Sequence, residues 1–186
     1  NDVWTKEVFA NYFAACIVEP LFPSVNHSLN WIKTYTTASL AEDRTQGSNS
    51  IRQPLDNLRN AGLIYGNIIY NKAPVMMQKL VEIMGEEAYQ KGIQEYLKTY
   101  AYGNATWDDL IAILDSQTEE DLATFSDVWV NQKGMPHITF TNRCGQLEIR
   151  QRDPLNRGLI WPQRFQITFQ GEEEENTTVE VNLTGE

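Results

Sequence analysis

A glutamate near the amino end of the chain stands among aromatic and aliphatic residues. Glu7 is surrounded in sequence by Trp4, Phe9, Ala10 and Phe13, which recur at helical spacing and predict a buried helix face. A carboxylate in such a position needs a partner, because burying an unpaired charge is costly. That partner is either the cation of a Lys or Arg side chain or a metal ion, and the residue pattern leaves both interpretations open.

The other residues of chemically active types do not form a complete catalytic set. His27 and His137 are the only histidines and lie far apart in the chain. We interpret His27 as a loop residue and His137 as the start of a strand, and a zinc site built from both is the alternative. Cys16 and Cys144 are interpreted as buried or free thiols, with one disulfide between them as the alternative. The sequence contains no H-E-x-x-H, G-x-G-x-x-G, P-loop or G-x-S-x-G motif.

The first part of the chain has the hydrophobic periodicity of helices. Apolar residues recur at three- and four-residue steps over 3–18, 28–40, 58–70, 74–84 and 86–100. We expect Pro20 and Pro23 to end the first helix, Ser28 to cap the second and Gly85 to end the fourth. The polar stretch 41–56 predicts a loop. Helix start signals of the capping-box type lie at Thr106 and at Thr118.

The last part of the chain changes to the period of strands. After Gly134 and Pro136, apolar residues alternate with polar ones around positions 138–140, 147–149, 165–169 and 179–183. This alternation predicts half-buried strands of an antiparallel sheet. The acidic stretch 171–176 is interpreted as a solvated connection between the last two strands, and a calcium site is its alternative. The sequence therefore predicts an α+β protein with a helical domain over 1–135 and a strand domain over 136–186.

Composition excludes several classes of protein. The chain has 186 residues, 25 of them acidic and 15 basic, so its formal net charge is −10. Nucleic acid is therefore not an expected partner, because binding to phosphates needs a basic face. No apolar run is long enough to span a membrane. The first residues carry no initiator Met and no signal peptide, so we expect the chain to be part of a longer protein, and its localisation stays unknown.

Four segments together resemble one known family. Residues 4–12 (W-T-K-E-V-F-A-N-Y) resemble the W-x-N-E-G-F-A-x-Y segment of the zinc aminopeptidases related to aminopeptidase N, the gluzincin metallopeptidases. Residues 69–75 (I-Y-N-K-A-P-V) resemble the Y-x-K-G-A-x-V stretch of that family. Residues 100–110 (Y-A-Y-G-N-A-T-W-D-D-L) and 129–136 (W-V-N-Q-K-G-M-P) resemble its Y-x-x-G-N-A-T-x-x-D-L and W-x-x-Q-x-G-x-P segments. All four occur in the order of the family and with similar gaps.

The resemblance implies a fold and roles for two residues. The fold is the C-terminal part of a thermolysin-like catalytic domain, with many helices, followed by a partial antiparallel β-sandwich. Glu7 takes the position of the third zinc ligand, and Tyr70 takes that of the tyrosine that stabilises the transition state. The pattern alone favours the interpretation of Tyr70 as a packing residue of an aromatic-rich helix. Lys6, Val8 and the Ala73–Pro74 pair depart from the motifs of the family, although Glu7 and Tyr70 match them.

The resemblance also implies a function for the parent protein. The parent is expected to be a zinc aminopeptidase that hydrolyses N-terminal residues from peptides with a free N-terminus. We expect the H-E-x-x-H helix to lie upstream of Asn1, so the isolated chain should be inactive and bind no zinc by itself. The alternative is a non-catalytic helical binding or scaffold module that has lost zinc chemistry. The resemblance also includes bifunctional epoxide hydrolases, although no residue here favours them.

A last expectation concerns the surface of the isolated chain. Trp4, Phe9 and Phe13 should be covered by elements outside this sequence, so we expect them to be exposed here. Self-association through that apolar face would follow, because large exposed apolar patches are typical of interaction surfaces.

Overall fold

The structure is a computed structural model that describes residues 2–143, 145–170 and 176–185. The chain forms two compact units, residues 1–135 and 136–186. The first unit is helical and the second contains antiparallel strands. The predicted α+β class is therefore confirmed.

The first unit consists of α-helices connected by irregular segments and by turns of other helix types. The α-helices are α1 Trp4–Leu21, α2 His27–Trp31, α3 Thr37–Asp43, α4 Ala61–Ile64, α5 Ala73–Met84, α6 Glu86–Thr99, α7 Trp107–Asp115 and α8 Leu122–Ser126. A 3₁₀ turn covers Leu58–Asn60, and π-helical turns cover Ile32–Thr36, Ile68–Lys72 and Asp127–Asn131. Among the described residues, no helix is both long enough and apolar enough to cross a membrane.

The two helices nearest the amino end depart from their predicted bounds. Helix α1 ends at Leu21, between Pro20 and Pro23, so it runs past Pro20 and past the predicted end at residue 18. A proline in the last turn removes only one backbone hydrogen bond, and Phe22 N–H still reaches the carbonyls of Val18 and Glu19. The predicted second helix begins one residue earlier than expected. Its cap is Asn26, whose side chain accepts a hydrogen bond from Leu29 N–H at 2.9 Å.

The predicted helix over 58–70 is interrupted. Helix α4 ends at Ile64, Tyr65 has an extended backbone, and a new turn starts where Gly66 O accepts hydrogen bonds from the N–H groups of Ile69 and Tyr70. Tyr70 therefore lies in the π-helical turn Ile68–Lys72, called the Tyr70 turn below, rather than in a regular helix. Single π turns inside helices are frequent at functional sites.

Other local predictions match the structure. Thr106 and Asp109 form the predicted capping box at the start of α7. Gly85 separates α5 from α6 with a φ of 86°, a backbone conformation that favours glycine. The start signal at 118 is displaced, because the side chain of Asp121 caps α8 instead of Thr118.

Residues of α5, α7, α8 and the π-helical turn after α8 contribute to the core of the helical unit. Buried apolar residues include Val75, Met76, Leu80, Leu110, Leu114, Phe125, Trp129 and Val130. Trp4 belongs to this core, where its ring packs 4.8 Å from that of Trp107. The expectation that Trp4 is exposed is therefore wrong, because α7 covers it from within the chain. Phe9 and Phe13 are half-buried and stack on each other at 5.8 Å.

A group of exposed apolar side chains lies further along α1 than expected. They include Ile17, Val18, Leu21, Phe22, Val25, Leu29 and Ile32, on the end of α1 and on the segment that follows it. Self-association stays a prediction, and this is the surface through which it would occur.

The second unit pairs its strands as two hairpins. The strands are β1 His137–Arg143, β2 Gln146–Arg152, β3 Gln163–Gln170 and β4 Asn176–Leu183. β1 pairs with β2 and β3 with β4, both antiparallel, in two separate two-stranded sheets rather than in the single predicted sheet. Cys144 and most of the acidic stretch 171–176 lie outside the described residues.

Helices α6 and α7 pack closely where Gly92 has no side chain. A Cβ on Gly92 would lie 2.5 Å from Leu114 Cδ2, which belongs to a fully buried residue. We predict that Gly92→Ala destabilises the protein by about 1–3 kcal/mol, because overpacking outweighs the gain in helix propensity. Urea denaturation provides the measurement. Gly62→Ala is the matched control, since nothing lies within 4 Å of its Cβ position, and equal effects of the two substitutions would contradict the prediction.

Candidate active site

Helix α1 carries Glu7 and is anchored at its amino end. Asp2 accepts hydrogen bonds from the backbone N–H of Trp107 at 2.9 Å and forms an ion pair with Arg52 Nε at 2.8 Å. Arg52 in turn bonds both carboxylate oxygens of Asp108 on α7. Together with the packing of Trp4 on Trp107, these contacts fix the first turn of α1 against α7.

Glu7 forms a weak ion pair with its neighbour in sequence. Its carboxylate lies 3.2 Å from Lys6 Nζ, and the Lys6 side chain is 74% exposed while that of Glu7 is 21% exposed. An exposed pair of this kind contributes little to stability, on the order of 0–1 kcal/mol. The sequence left a cationic side chain and a metal ion open as partners of Glu7, and the structure shows a lysine. Because this ion pair is weak, the carboxylate stays available to another ligand.

No complete metal site lies in the described part of the chain. Within residues 2–143, 145–170 and 176–185, no group of three or more His, Cys, Asp and Glu side chains is placed to hold a metal ion. His27 begins α2, and its Nε2 lies 2.8 Å from Phe22 O. His137 is the first residue of β1, and Cys16 is an exposed free thiol. A carboxylate is one of the ligand types that zinc accepts in proteins, so Glu7 is suited to supply one ligand.

Tyr70 projects from the Tyr70 turn toward solvent. Its residue is 39% exposed, whereas Ile68, Ile69 and Lys72 of the same turn are buried. Its ring stacks on that of Tyr65 at 5.7 Å, and its N–H donates to Gly66 O at 2.9 Å. The side chain is therefore stacked on a neighbouring ring and partly open to solvent.

The structure brings Glu7 and Tyr70 to the same region. Asn11 lies one helical turn after Glu7 on α1, and its side-chain amide donates to Tyr70 O at 3.4 Å. The hydrogen bond to Glu7 raises the pKa of the Lys6 ammonium. The contact from Asn11 joins the helix that carries Glu7 to the turn that carries Tyr70.

A buried ion pair beside Tyr70 was missed by sequence reasoning. Lys72 Nζ lies 2.7 Å from Asp43 Oδ2 and donates to Gly134 O at 3.0 Å. The signal that could have revealed it is the placement of Lys72 between Ile69 and Ala73, which are both buried, because a lysine inside an apolar stretch requires a buried anion. The sequence could not show that Asp43, on the distant α3, is that anion.

A well-defined cleft of the described residues lies elsewhere. It has a volume of about 660 Å³ and is lined by side chains of α1, α2 and α5, among them Tyr12, Trp31 and Glu82. Neither Glu7 nor Tyr70 lines it. This cleft would therefore not have pointed to the two residues that the resemblance singled out.

A comparison with protein families decides the relationship of the chain. The model of the family described as "Peptidase family M1 domain" matches residues 1–129. The chain belongs to peptidase family M1. The predicted relationship to the aminopeptidase N-related gluzincins is thereby confirmed.

Several relatives of this M1 chain are named aminopeptidases. It is 30% identical to aminopeptidase M1-B of Oryza sativa subsp. japonica over 87% of the chain, and 27% identical to the puromycin-sensitive aminopeptidase of Caenorhabditis elegans over 99% of the chain. It is 31% identical to aminopeptidase N of Streptomyces lividans over 73% of the chain. These alignments cover 18%, 19% and 16% of the respective relatives. The M1 chain therefore spans about a fifth of the length of the curated relatives it matches.

Proposed function

We propose that this M1 chain is part of a zinc aminopeptidase that removes N-terminal residues from peptides. Membership of the family and the names of its relatives support an aminopeptidase parent. The observation that carries the proposal is the contact between Asn11 and Tyr70 O, because it joins the helix of Glu7 to the turn of Tyr70. In this proposal the two residues have complementary roles in peptide hydrolysis at one site.

Glu7 is the residue of this chain that would hold the zinc ion. Its carboxylate is partly buried and its ion-pair partner is the exposed Lys6, so the cost of exchanging that partner for a metal is small. The anchoring of α1 through Asp2 and Trp4 would keep the carboxylate in place. When bound, zinc supplies a Lewis acid that polarises the scissile carbonyl and lowers the pKa of water.

Tyr70 would stabilise the transition state. Attack on the scissile carbonyl places negative charge on its oxygen, and the Tyr70 hydroxyl would donate a hydrogen bond to that oxygen. Removing one such donor typically raises the barrier by about 2.7–4 kcal/mol. Peptide substrates with a free N-terminus are the proposed partners of the parent protein.

The isolated chain is predicted to be inactive. A catalytic zinc takes three protein ligands, and Glu7 supplies one of them. We expect no turnover of an aminoacyl-arylamide by residues 1–186 alone and no tight zinc binding by equilibrium dialysis. Measurable turnover that disappears on chelation would contradict this prediction, whereas a full-length protein with neither activity nor zinc would favour the scaffold alternative.

Glu7→Gln in the full-length protein is predicted to lower zinc affinity. Changes to residues that only orient zinc ligands cost about 10–100-fold in affinity, so the loss of a ligand should cost at least as much. Zinc competition with a chromogenic chelator gives the measurement. Glu19→Gln, on the exposed end of the same helix, is the matched control, and unchanged zinc affinity in Glu7→Gln would remove Glu7 from the site.

Tyr70→Phe in the full-length protein is predicted to slow the chemical step. The loss of one hydrogen-bond donor to the developing oxyanion should lower kcat by about 10²–10³-fold, with zinc content unchanged. Steady-state kinetics and metal analysis test this together. Tyr102→Phe removes a hydroxyl from a fully exposed side chain and serves as control. A Tyr70→Phe enzyme with normal kcat would exclude Tyr70 from the mechanism.

A further inference from the structure

The Tyr70 turn is held from the core side by a buried charge. Lys72 Nζ lies 2.7 Å from Asp43 Oδ2, and the two side chains are only 2% and 1% exposed. The same ammonium donates a hydrogen bond to Gly134 O at 3.0 Å. The turn is therefore tied both to the end of α3 and to the segment after the last π-helical turn of the helical unit.

The anion of this pair is also fully engaged. The second oxygen of Asp43, Oδ1, accepts hydrogen bonds from Ser48 Oγ at 2.8 Å and from Gly134 N–H at 3.2 Å. Gly134 thus contributes both its N–H and its carbonyl, and it does so at a φ of 88°, which favours glycine. Three segments distant in sequence converge on one carboxylate and one ammonium.

Stability alone does not account for such an arrangement. Buried ion pairs cost desolvation, and apolar residues of similar volume are often as stable or more so. What a satisfied polar network provides is a single geometry, because its hydrogen bonds are directional. The relevant question is therefore which nearby group needs a fixed position.

Tyr70 is that group. It lies two residues before Lys72 in the same turn. The hydrogen bond from Ala73 N–H to Ile68 O closes this turn. Lys72 is buried on one side of the turn while Tyr70 is 39% exposed on the other. The Tyr70 backbone itself is bonded locally, through its N–H to Gly66 O at 2.9 Å, and to α1 through the long 3.4 Å contact from Asn11. The stronger restraint comes from the core.

We infer that the Asp43–Lys72 ion pair is a positioning element that fixes the Tyr70 turn so that the Tyr70 hydroxyl meets the substrate oxygen. This inference rests on the proposed function of Tyr70. Lys72 and Asp43 are too deeply buried to contact substrate themselves, so they act through the turn. Displacement of a catalytic group by about 1 Å can cost about 100-fold in rate.

A double-mutant cycle in the full-length, zinc-loaded protein tests the inference. The first arm combines Asp43→Asn with Lys72→Met, which leaves no unpaired charge in the core. The second arm is Lys72→Arg, which keeps the charge but presents a planar guanidinium in place of the ammonium. The substitutions of each arm are introduced once into the protein with Tyr70 and once into the Tyr70→Phe variant. We expect kcat to fall by about 10–100-fold with Tyr70, and by less than about twofold in the Tyr70→Phe background, with KM and zinc content little changed.

The outcomes separate this inference from the proposed function. Equal losses of kcat in both backgrounds, or normal kcat in a folded pair variant, would overturn the positioning role. Normal kcat in Tyr70→Phe alone would instead contradict the proposed function. Lys79→Met is the matched control, because Lys79 forms a solvent-accessible pair with Glu82 at 2.7 Å on the adjoining helix α5. We expect it to leave kcat unchanged both with Tyr70 and in the Tyr70→Phe background.

Discussion

The helical unit is organised around the requirement that a buried ammonium be neutralised and fully hydrogen-bonded. Lys72 satisfies this requirement through Asp43 and Gly134, which are distant from each other in sequence. Because both charges are almost completely removed from water, neither can be left without its partner at low cost. The irregular chain between α3 and α4, the Tyr70 turn and the end of the helical unit are consequently fixed relative to one another.

The same requirement organises the candidate site. Its two residues are carried by different kinds of element: Glu7 by a long helix and Tyr70 by a π-helical turn. The helix is held at its start by Asp2 and Trp4 against α7, and the turn is held by Lys72 against the core. Both side chains are partly exposed although their backbones are restrained, which is the arrangement that a preorganised site needs.

Local signals in the sequence predicted local structure well. The capping box at Thr106 and the stop at Gly85 depend on neighbouring residues, so both could be predicted from the sequence. The interruption before the Tyr70 turn could not, because Gly66 and the tertiary pairing of Lys72 override a continuous apolar pattern over 58–70. Trp4 was expected to be exposed for a similar reason, since its partner Trp107 is distant in sequence.

The candidate site was predictable only in part. Glu7 and Tyr70 were singled out through motifs, and pattern alone would have left Tyr70 a packing residue. The hairpin pairing of the four strands was likewise not accessible, because alternation specifies which face a residue takes but not which strand is its neighbour. Nothing in the sequence indicated that Asp43 is buried, since an acidic residue at the end of a short helix is usually exposed.

A crystal structure of the full-length protein with zinc and a transition-state analogue tests the central claim most directly. The account predicts a Glu7 carboxylate oxygen about 2.0–2.2 Å from the zinc ion. It also predicts the Tyr70 hydroxyl within about 2.6–3.2 Å of the oxygen that represents the tetrahedral centre. A zinc ion bound without Glu7, or a Tyr70 hydroxyl directed away from the analogue while Lys72 stays paired with Asp43, would contradict it.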